Sequence, residues 1–378
     1  MSNLAQPLNI QLHKSSKALK ETQWERIRTK KNVFLSLPFK HSFENNHQNI
    51  QHLYYCIEDP QNEVIGYAQQ FMLGGNKINS YQKKNRLSLG LKSGLLNLLK
   101  LKVVALGNGL LTNIENISAT KLQDKKAFVK QLIQQIEKDT KVNKVIIPDH
   151  FFEAIGLNHP NEHFPKLIQV EVEEEMILPL RKNWQTFDDY HNSLKKKYRN
   201  RLKSVLKKSQ DIRVKTLSKK DLNQHQDTIQ SLFEKVQKNS SFGAMAFNAK
   251  IFQDLVELSE PKCLVYGYFL KDKMVGFSSE LMDQNSLYSY FIGLDYNYNN
   301  KYRIYERILN ESVKNGIEKE KKQVVFGRTA AEFKSNVGAE PKTSYIYIYI
   351  KSPLLRMLFS PILSNIKPKK WIQRRPFN

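Results

Sequence analysis

Cysteine is scarce in this sequence, and the residue patterns of the common metal and cofactor sites are missing. The 378 residues contain two cysteines, Cys56 and Cys263, far apart in the chain. A disulfide framework or a cysteine-rich zinc site is therefore excluded, and a reducing compartment is expected. The chain has no H-E-x-x-H, G-x-S-x-G, Walker or Rossmann glycine pattern. These absences argue against hydrolase, NTPase and dehydrogenase functions, and we expect no catalytic metal.

Long apolar runs are also missing. A spanning helix needs about 20 consecutive apolar residues. The nearest candidate, Leu89 to Leu111, is interrupted by Lys92, Lys100 and Lys102. The first residues contain no apolar segment typical of a secretory signal. We therefore expect a cytoplasmic protein.

Acidic residues are missing from three long stretches, although the composition is otherwise that of a globular protein. Val64–Ile114 carries seven Lys/Arg, Tyr190–Gln210 eight and Pro341–Asn378 eight, and none contains an acid. These stretches account for nearly all of the net charge of +24. Such concentration predicts surfaces that meet an anionic partner, whereas the alternative is solvated surface that contacts nothing.

Two of these stretches combine cations with apolar residues at helical spacing. Lys195–Lys208 predicts a basic amphipathic helix that begins near Thr186 or Asp188. Leu354–Leu363 is apolar and is followed by a basic segment that contains Trp371. This composition favours a segment that lies on the inner face of a membrane, and the alternative is a helix docked on the core with a basic tail.

The predicted strands and helices follow a similar order in the two halves of the chain. Val64–Met72 (VIGYAQQFM) resembles Met274–Met282 (MVGFSSELM), and each is followed by a predicted helix and a short apolar strand. We interpret this as a tandem duplication with a mixed α/β sheet in each half. The expected domains are 1–180 and 181–350, followed by a basic and apolar tail at 351–378.

Four segments of the second half resemble the GNAT acyltransferase superfamily, in particular its tandem-domain branch of Fem-type peptidyltransferases and CelD/BioF-like acetyltransferases. The segments are YHNSLKKKYRNRLKSVLKK, LVYGYFLKDKMVGFSSELM, SLYSYFIGLDYNYNNKYRIYERIL and VVFGRTAAEFKSNVGAEP. The resemblance implies two tandem GNAT-like domains and acyl transfer to an amine. It also implies a mixed sheet that splays open beside the second hairpin strand, with the acyl donor in the gap.

One departure from that superfamily concerns the donor. The usual glycine-rich loop, which presents backbone N–H groups to a pyrophosphate, is replaced by Gly293–Arg303, which has no glycine pair. An acyl-CoA or acyl-carrier-protein thioester is the expected donor, and the missing loop favours an acidic carrier protein. Aminoacyl-tRNA is the alternative, although the helical arm typical of that branch is not visible in the sequence.

The resemblance places the candidate site in the second half. Glu280, on the site-bearing strand, is the expected base, and Tyr290 on the next strand is the expected proton donor; the first-half counterpart of Glu280 is Gln70, which cannot act as a base. Cations on the basic helix and beyond are expected to bind the donor or its carrier, together with an asparagine at a strand end in the first half: Arg199, Lys203, Arg303, Arg307, Arg328, Lys334 and Asn108.

These observations predict an N-acyltransferase of lipid or cell-envelope biosynthesis that is peripheral to a membrane. The expected partners are an anionic membrane surface or an acidic acyl carrier protein. An aminoacyl-tRNA-dependent peptidyltransferase of the Fem type is the alternative. A nonenzymatic nucleic-acid-binding protein ranks last, because RNP-type aromatic motifs and helix-turn-helix spacing are absent.

Overall fold

The computed structural model describes residues 7–28, 32–74, 100–239 and 246–377. Over these residues the chain forms two compact units. The first comprises Met1–Val172, Gly243–Phe247 and Ser344–Pro368, and the second comprises Glu173–Phe242, Asn248–Thr343 and Lys369–Asn378. The predicted boundaries at 180 and 350 therefore differ from these divisions, and the predicted tail is shared between the two units. The leucine-rich part of the first basic stretch, residues 75–99, lies outside the described residues.

The first unit is a mixed sheet covered by helices. Its strands run in the order β1-β2-β3-β4-β6-β13, and β5 pairs with β3. The strands are β1 (Gln11–His13), β2 (Gln51–Glu58), β3 (Glu63–Gly74), β4 (Lys100–Ala105), β5 (Ile117–Lys121), β6 (Lys144–Pro148) and β13 (Glu340–Ile350). The helices are α1 (Glu21–Arg28), α2 (Leu37–Asn46), α3 (Lys125–Thr140), α4 (Asp149–Ala154), α5 (Pro160–His163) and, near the end of the chain, α14 (Pro353–Leu363).

Helix α3 shows why this sequence folds onto a sheet. Its N-cap is Asp124, whose carboxylate accepts a hydrogen bond from the Ala127 N–H. Phe128, Leu132 and Ile136 recur at helical spacing and are completely buried against the strands. Burial of each such side chain contributes about 1.5–3 kcal/mol, so the apolar face holds the helix on the sheet.

The second unit repeats this plan, with the strand order β7-β12-β11-β10-β9-β8. Its strands are β7 (Ile168–Pro179), β8 (Ile212–Thr216), β9 (Lys262–Leu270), β10 (Lys273–Met282), β11 (Ser286–Leu294) and β12 (Gln323–Gly327). Its helices are α6 (Phe187–Ser193), α7 (Lys196–Lys208), α8 (Lys219–Gln224), α9 (Gln226–Asn239), α10 (Ile251–Leu255), α11 (Tyr296–Tyr302), α12 (Ile304–Glu318) and α13 (Ala331–Ser335).

Both units contain three antiparallel strands, then a long helix, then a short parallel strand. In the first unit this series is β2-β3-β4-α3-β6, and in the second it is β9-β10-β11-α12-β12. The mixed α/β class and the tandem GNAT-like plan that the sequence predicts are confirmed. Strand β7 begins in the first unit and pairs with β12 of the second, whereas β13 pairs with β6 of the first.

The predicted start of the basic helix is wrong. Thr186 caps a separate helix, α6, through a capping box with Asp189. The chain is then extended at Leu194, which forms a β-bridge with Phe377. The Lys195 N–H also donates to the carbonyl of Pro376. These bonds to the C-terminal segment interrupt the helix, and α7 begins only at Lys196.

The sheet of the second unit is predicted to open beside its second hairpin strand, β10, but it opens one strand further on, beside β11. Strand β10 is paired along both edges, from Gly276 to Met282 with β11 and over its whole length with β9. By contrast, β11 pairs with β12 only over Ser286–Tyr288. A bulge in β11 opposite Ser278 and Glu280 shifts the register at the same level. The sheet therefore opens between β11 and β12.

Candidate functional site

A cavity of about 580 Å³ lies in the second unit, close to the point where β11 and β12 separate. Its walls come from β7, β11, the ends of α7 and α9, the α11–α12 junction and the segment that enters α13. The lining residues are Glu173, Lys208, Val236, Ile292, Leu294, Tyr296, Asn299, Asn300, Arg303, Tyr305, Glu306, Thr329, Ala330 and Phe333. Ligands of open α/β sheets commonly bind at such strand ends.

The backbone after β12 makes room for this cavity. Strand β12 ends at Gly327, which has a φ of 69°, and Thr329 and Ala330 follow with φ of 66° and 49°. Three residues in the left-handed region turn the chain away from β11 and into α13. Because Gly327 pairs with Met176 of β7, Glu173 lies beyond the end of β12, where β7 has lost that neighbour.

Glu173 is the carboxylate of this cavity whose environment suits proton transfer. Its Oε2 atom is buried and has no hydrogen-bond partner within the described residues. Burial raises the pKa of Glu173 above its ordinary value, while the charges of Lys334 and Arg328 act in the opposite direction. A partly desolvated carboxylate of this kind can take a proton from a bound amine.

The predicted cations Lys334 and Arg328 lie beside Glu173. Lys334 is 5% exposed, and its Nζ donates to the carbonyls of Gly327 at 3.1 Å and Arg328 at 2.6 Å. Burial lowers the pKa of Lys334 to about 7, although Glu173 and Glu175 raise it. The Nε of Arg328 is buried without a hydrogen-bond partner among the described residues. The two carbonyl contacts make Lys334 a support of the turn after β12.

The N-terminus of α12 is already occupied by side chains. Asn299 Oδ1 accepts a hydrogen bond from the Tyr305 N–H at 2.9 Å. Arg303, the preceding residue, has a φ of 52° and holds Glu306 through Nε and Nη2 at 2.7 and 2.8 Å. The Asn299 amide oxygen thus stands where a phosphate oxygen would bind in a usual helix N-terminal site, and the Glu306 carboxylate of the same turn is held by Arg303. Arg303 lines the cavity, as the sequence predicts for a donor-binding cation.

The other predicted cations lie on or near the basic helix α7. Arg199 is half-buried and Lys203 is exposed, and neither lines the cavity. Arg307 bonds Glu311 at 2.5 Å and Ser209 at 3.3 Å, also away from the lining. The α7 residue that does reach the cavity is Lys208. Donor binding by Arg199, Lys203 and Arg307 stays a prediction.

Glu280 is 1% exposed and is not among the residues that line this cavity. The Asn315 Nδ2 donates to both of its carboxylate oxygens at 3.0 and 3.1 Å, and the hydroxyls of Ser312 and Tyr266 also bond to it. Burial nevertheless raises the pKa of Glu280 to about 7. Its role as the base stays a prediction, and the structure offers Glu173 as a second candidate.

Tyr290 and Asn108 do not line the cavity either. Tyr290 stacks on Tyr288 with ring centroids 5.8 Å apart, and burial raises its pKa well above the ordinary value. Asn108 lies in the first unit, where its Oδ1 accepts hydrogen bonds from the Leu110 and Leu111 N–H groups. That pattern is an Asx turn. Proton donation by Tyr290 and ligand binding by Asn108 both stay predictions.

Sequence reasoning missed Glu173, Lys208 and Asn299. Glu173 belongs to the alternating run VEVEEEMILP, which is typical of a strand with one solvated face. Whether Glu173 faces a cavity depends on where β12 ends, so no pattern in the neighbouring residues identifies Glu173 as a site residue. Over the described ranges, no cluster of His, Cys, Asp and Glu could hold a metal ion, and no helix has the length and apolar character needed to cross a bilayer.

Comparisons with known proteins agree with this architecture. The chain is similar to the crystal structure of FemX, with 10% identity over 92% of this chain and 99% of that chain and a TM-score of 0.51. It is also similar to a tandem GNAT protein from the clavulanic acid biosynthesis pathway, with 7% identity over 91% and 99% and a TM-score of 0.51. A Bacteroides thetaiotaomicron protein of unknown function has 11% identity over 90% and 100% and a TM-score of 0.51.

At such identities these structures show the fold, and no curated protein matches the chain. A family model goes further. Residues 116–371 match the FemAB-like family, which is described by peptidoglycan biosynthesis/recognition. Because the match takes in more than half of the chain, the protein belongs to the FemAB-like family.

Proposed function

We propose that the second unit transfers an activated acyl group to an amine of a cell-envelope component. The observation that carries this proposal is the position of Glu173 in the cavity beside the opening between β11 and β12. Family membership and the tandem GNAT-like fold support the same class of reaction. The envelope component follows from the description of the family.

The chemistry needs a deprotonated amine, a polarised carbonyl and a protonated leaving group. The amine nitrogen attacks the carbonyl carbon of the donor ester, so that a C–N bond forms and the C–O bond to the carrier breaks. Glu173 takes the proton that the amine loses, and the leaving oxygen takes one from solvent.

The donor that we propose is an aminoacyl group carried by tRNA. Two observations favour it over acyl-CoA. At the N-terminus of α12 the Tyr305 N–H is already bonded to Asn299, and the first turn carries the acidic Glu306, so the site is poorly suited to a pyrophosphate. Helix α7 carries seven Lys/Arg among thirteen residues and no acid, and its last residue, Lys208, reaches the cavity. A continuous basic helix suits a polyphosphate backbone.

The test measures transfer by the full-length protein from three donors, namely aminoacyl-tRNA, acyl carrier protein thioester and acyl-CoA, to amine-containing envelope precursors. Glu173→Gln is expected to reduce kcat/KM by about 10²–10⁴-fold, the usual contribution of a positioned acid or base. Glu171→Gln, two residues earlier on the same strand, is the matched control and should be near wild type. Transfer from a thioester alone would refute the tRNA donor. Loss of activity in Glu280→Gln with full activity in Glu173→Gln would restore Glu280 as the base.

A further inference from the structure

Helix α14, near the end of the chain, has two apolar faces. One face packs on the first unit: Phe359 is buried, and Leu355 and Leu363 contact the cluster that includes Ile168 and Ile350. The opposite face is also apolar. Leu354 and Met357 are each 70% exposed and Leu358 is 53% exposed.

The exposed residues form one stripe because positions i, i+3 and i+4 lie together on a helix. Surface positions of a helix docked on a core are normally polar, and scattered single apolar residues need no explanation. Here three large apolar side chains lie within a turn and a half, and Pro361 extends the stripe by one more turn. The face therefore fits an apolar partner.

The charges next to the stripe indicate which partner. Helix α14 has one cation, Arg356, and no acid. Lys351 precedes the helix and Lys367 follows it, and both belong to the first unit like the helix itself. The side chains of Lys351 and Lys367 are 62% and 69% exposed, although each ammonium group also pairs with a glutamate, Glu137 and Glu171 respectively, so both cations lie at the protein surface. An apolar stripe between cations is complementary to an anionic lipid surface.

We propose that α14 docks the protein on an anionic bilayer, with Leu354, Met357 and Leu358 inserted at the boundary between headgroups and acyl chains. A second copy of the chain fits the stripe less well. A stable interface buries about 800 Å² from each partner, and three side chains on one short helix supply a small part of that. The proposal adds a docking surface to the proposed transferase and does not depend on its donor.

The test is co-sedimentation of the full-length protein with vesicles of phosphatidylcholine alone or mixed with phosphatidylglycerol. We expect binding that needs phosphatidylglycerol and weakens with salt. The triple variant Leu354→Ser, Met357→Ser, Leu358→Ser should bind about 1,000-fold more weakly, because each of the three inserted side chains contributes about tenfold. Met72→Ser, which removes an exposed apolar side chain from β3, is the matched control and should bind normally.

A charge variant separates the two parts of the surface. Lys351→Gln with Lys367→Gln should weaken binding to anionic vesicles by at least 25-fold, about fivefold for each cation removed, and should not affect neutral vesicles. Equal binding of the triple variant and the wild type would overturn the proposal. The proposal would also be overturned if the wild type bound no vesicles and instead formed a dimer that the triple variant cannot form. Acyl transfer to a soluble acceptor should be unchanged in the triple variant. Failure of the membrane proposal would therefore not count against the proposed transfer reaction, which the donor assay tests separately.

Discussion

Lys334 provides a quantitative check on the structure of the site. Its ammonium group is buried under the end of β12, and the two neutral carbonyls that it contacts, those of Gly327 and Arg328, do not offset its desolvation fully. Burial accordingly lowers the pKa of Lys334 from 10.5 to about 7. We expect Lys334→Met to change how the stability of the protein depends on pH.

The sign follows from the number of bound protons. Between pH 7 and 10.5 the unfolded chain keeps the Lys334 proton and the folded chain loses it, so the free energy of unfolding rises with pH. The slope for one group is about 1.4 kcal/mol per pH unit. Over the full interval the buried amine changes stability by about 5 kcal/mol, and between pH 7.5 and 9 by about 2 kcal/mol. Below pH 7 the amine is charged in both states, and the full cost of burying its charge lowers the free energy of unfolding.

The assay is urea denaturation of the wild type and of Lys334→Met at several pH values from 7 to 9. The variant also leaves two carbonyls without their donor, but that cost does not vary with pH, so the pH slope of the difference is the readout. Titration of cysteines and tyrosines cancels in this difference. Lys220→Met, at an exposed position of α8, should give a flat difference. A flat difference for Lys334→Met as well would show that Lys334 is charged in the folded protein.

Three other substitutions test the packing around the site. Gly293→Ala would place a Cβ 2.3 Å from a ring atom of Phe277 and 2.7 Å from the backbone of α9, so we expect a loss of about 1–3 kcal/mol and a lower Tm. Phe377→Ala removes a ring that lies 5.2 Å from that of Trp184, and a loss of about 2–4 kcal/mol in urea denaturation is expected; an unchanged midpoint would show that the C-terminal segment is not docked. Glu280→Gln places an amide against side-chain donors and should lower the free energy of unfolding by about 1–3 kcal/mol, with the largest loss at low pH. Because the pKa of Glu280 is about 7 in the folded protein and 4.5 in the unfolded chain, the stability of the wild type falls as the pH rises from 4.5 to 7. The variant should not show that fall.

Much of the local structure is predictable from the sequence because it depends on neighbouring residues. The hairpin of β9 and β10 follows from two apolar runs separated by the turn residues around Asp272. The basic helix follows from the helical spacing of Leu202 and Val205, which are buried. Its start is not predictable, because the break at Leu194 is made by residues near the end of the chain.

The pairing partners of β7 and β13 are the main feature that the sequence does not reveal. Strands β7 and β13 both follow a short parallel strand and both contain alternating apolar residues. Either could complete the sheet of its own half. In the structure β7 pairs with β12 and β13 pairs with β6. Strand pattern defines which face is buried but not which neighbour is chosen, so the pattern alone does not assign β7 to either half.

The same limitation explains why the sequence points to Glu280 and the cavity contains Glu173. Both are glutamates on strands, and Glu280 stands out because its neighbours are small or apolar. Strand β10 is central, however, and α12 covers it with Asn315, so a carboxylate there is bound internally. Glu173 lies where its neighbour β12 has ended, which leaves one side of β7 facing the cavity. The Glu173 carboxylate is available for chemistry because the neighbouring strand β12 stops at Gly327. The end of β12 lies about 150 positions away from Glu173 in the chain, so the sequence around Glu173 does not reveal it.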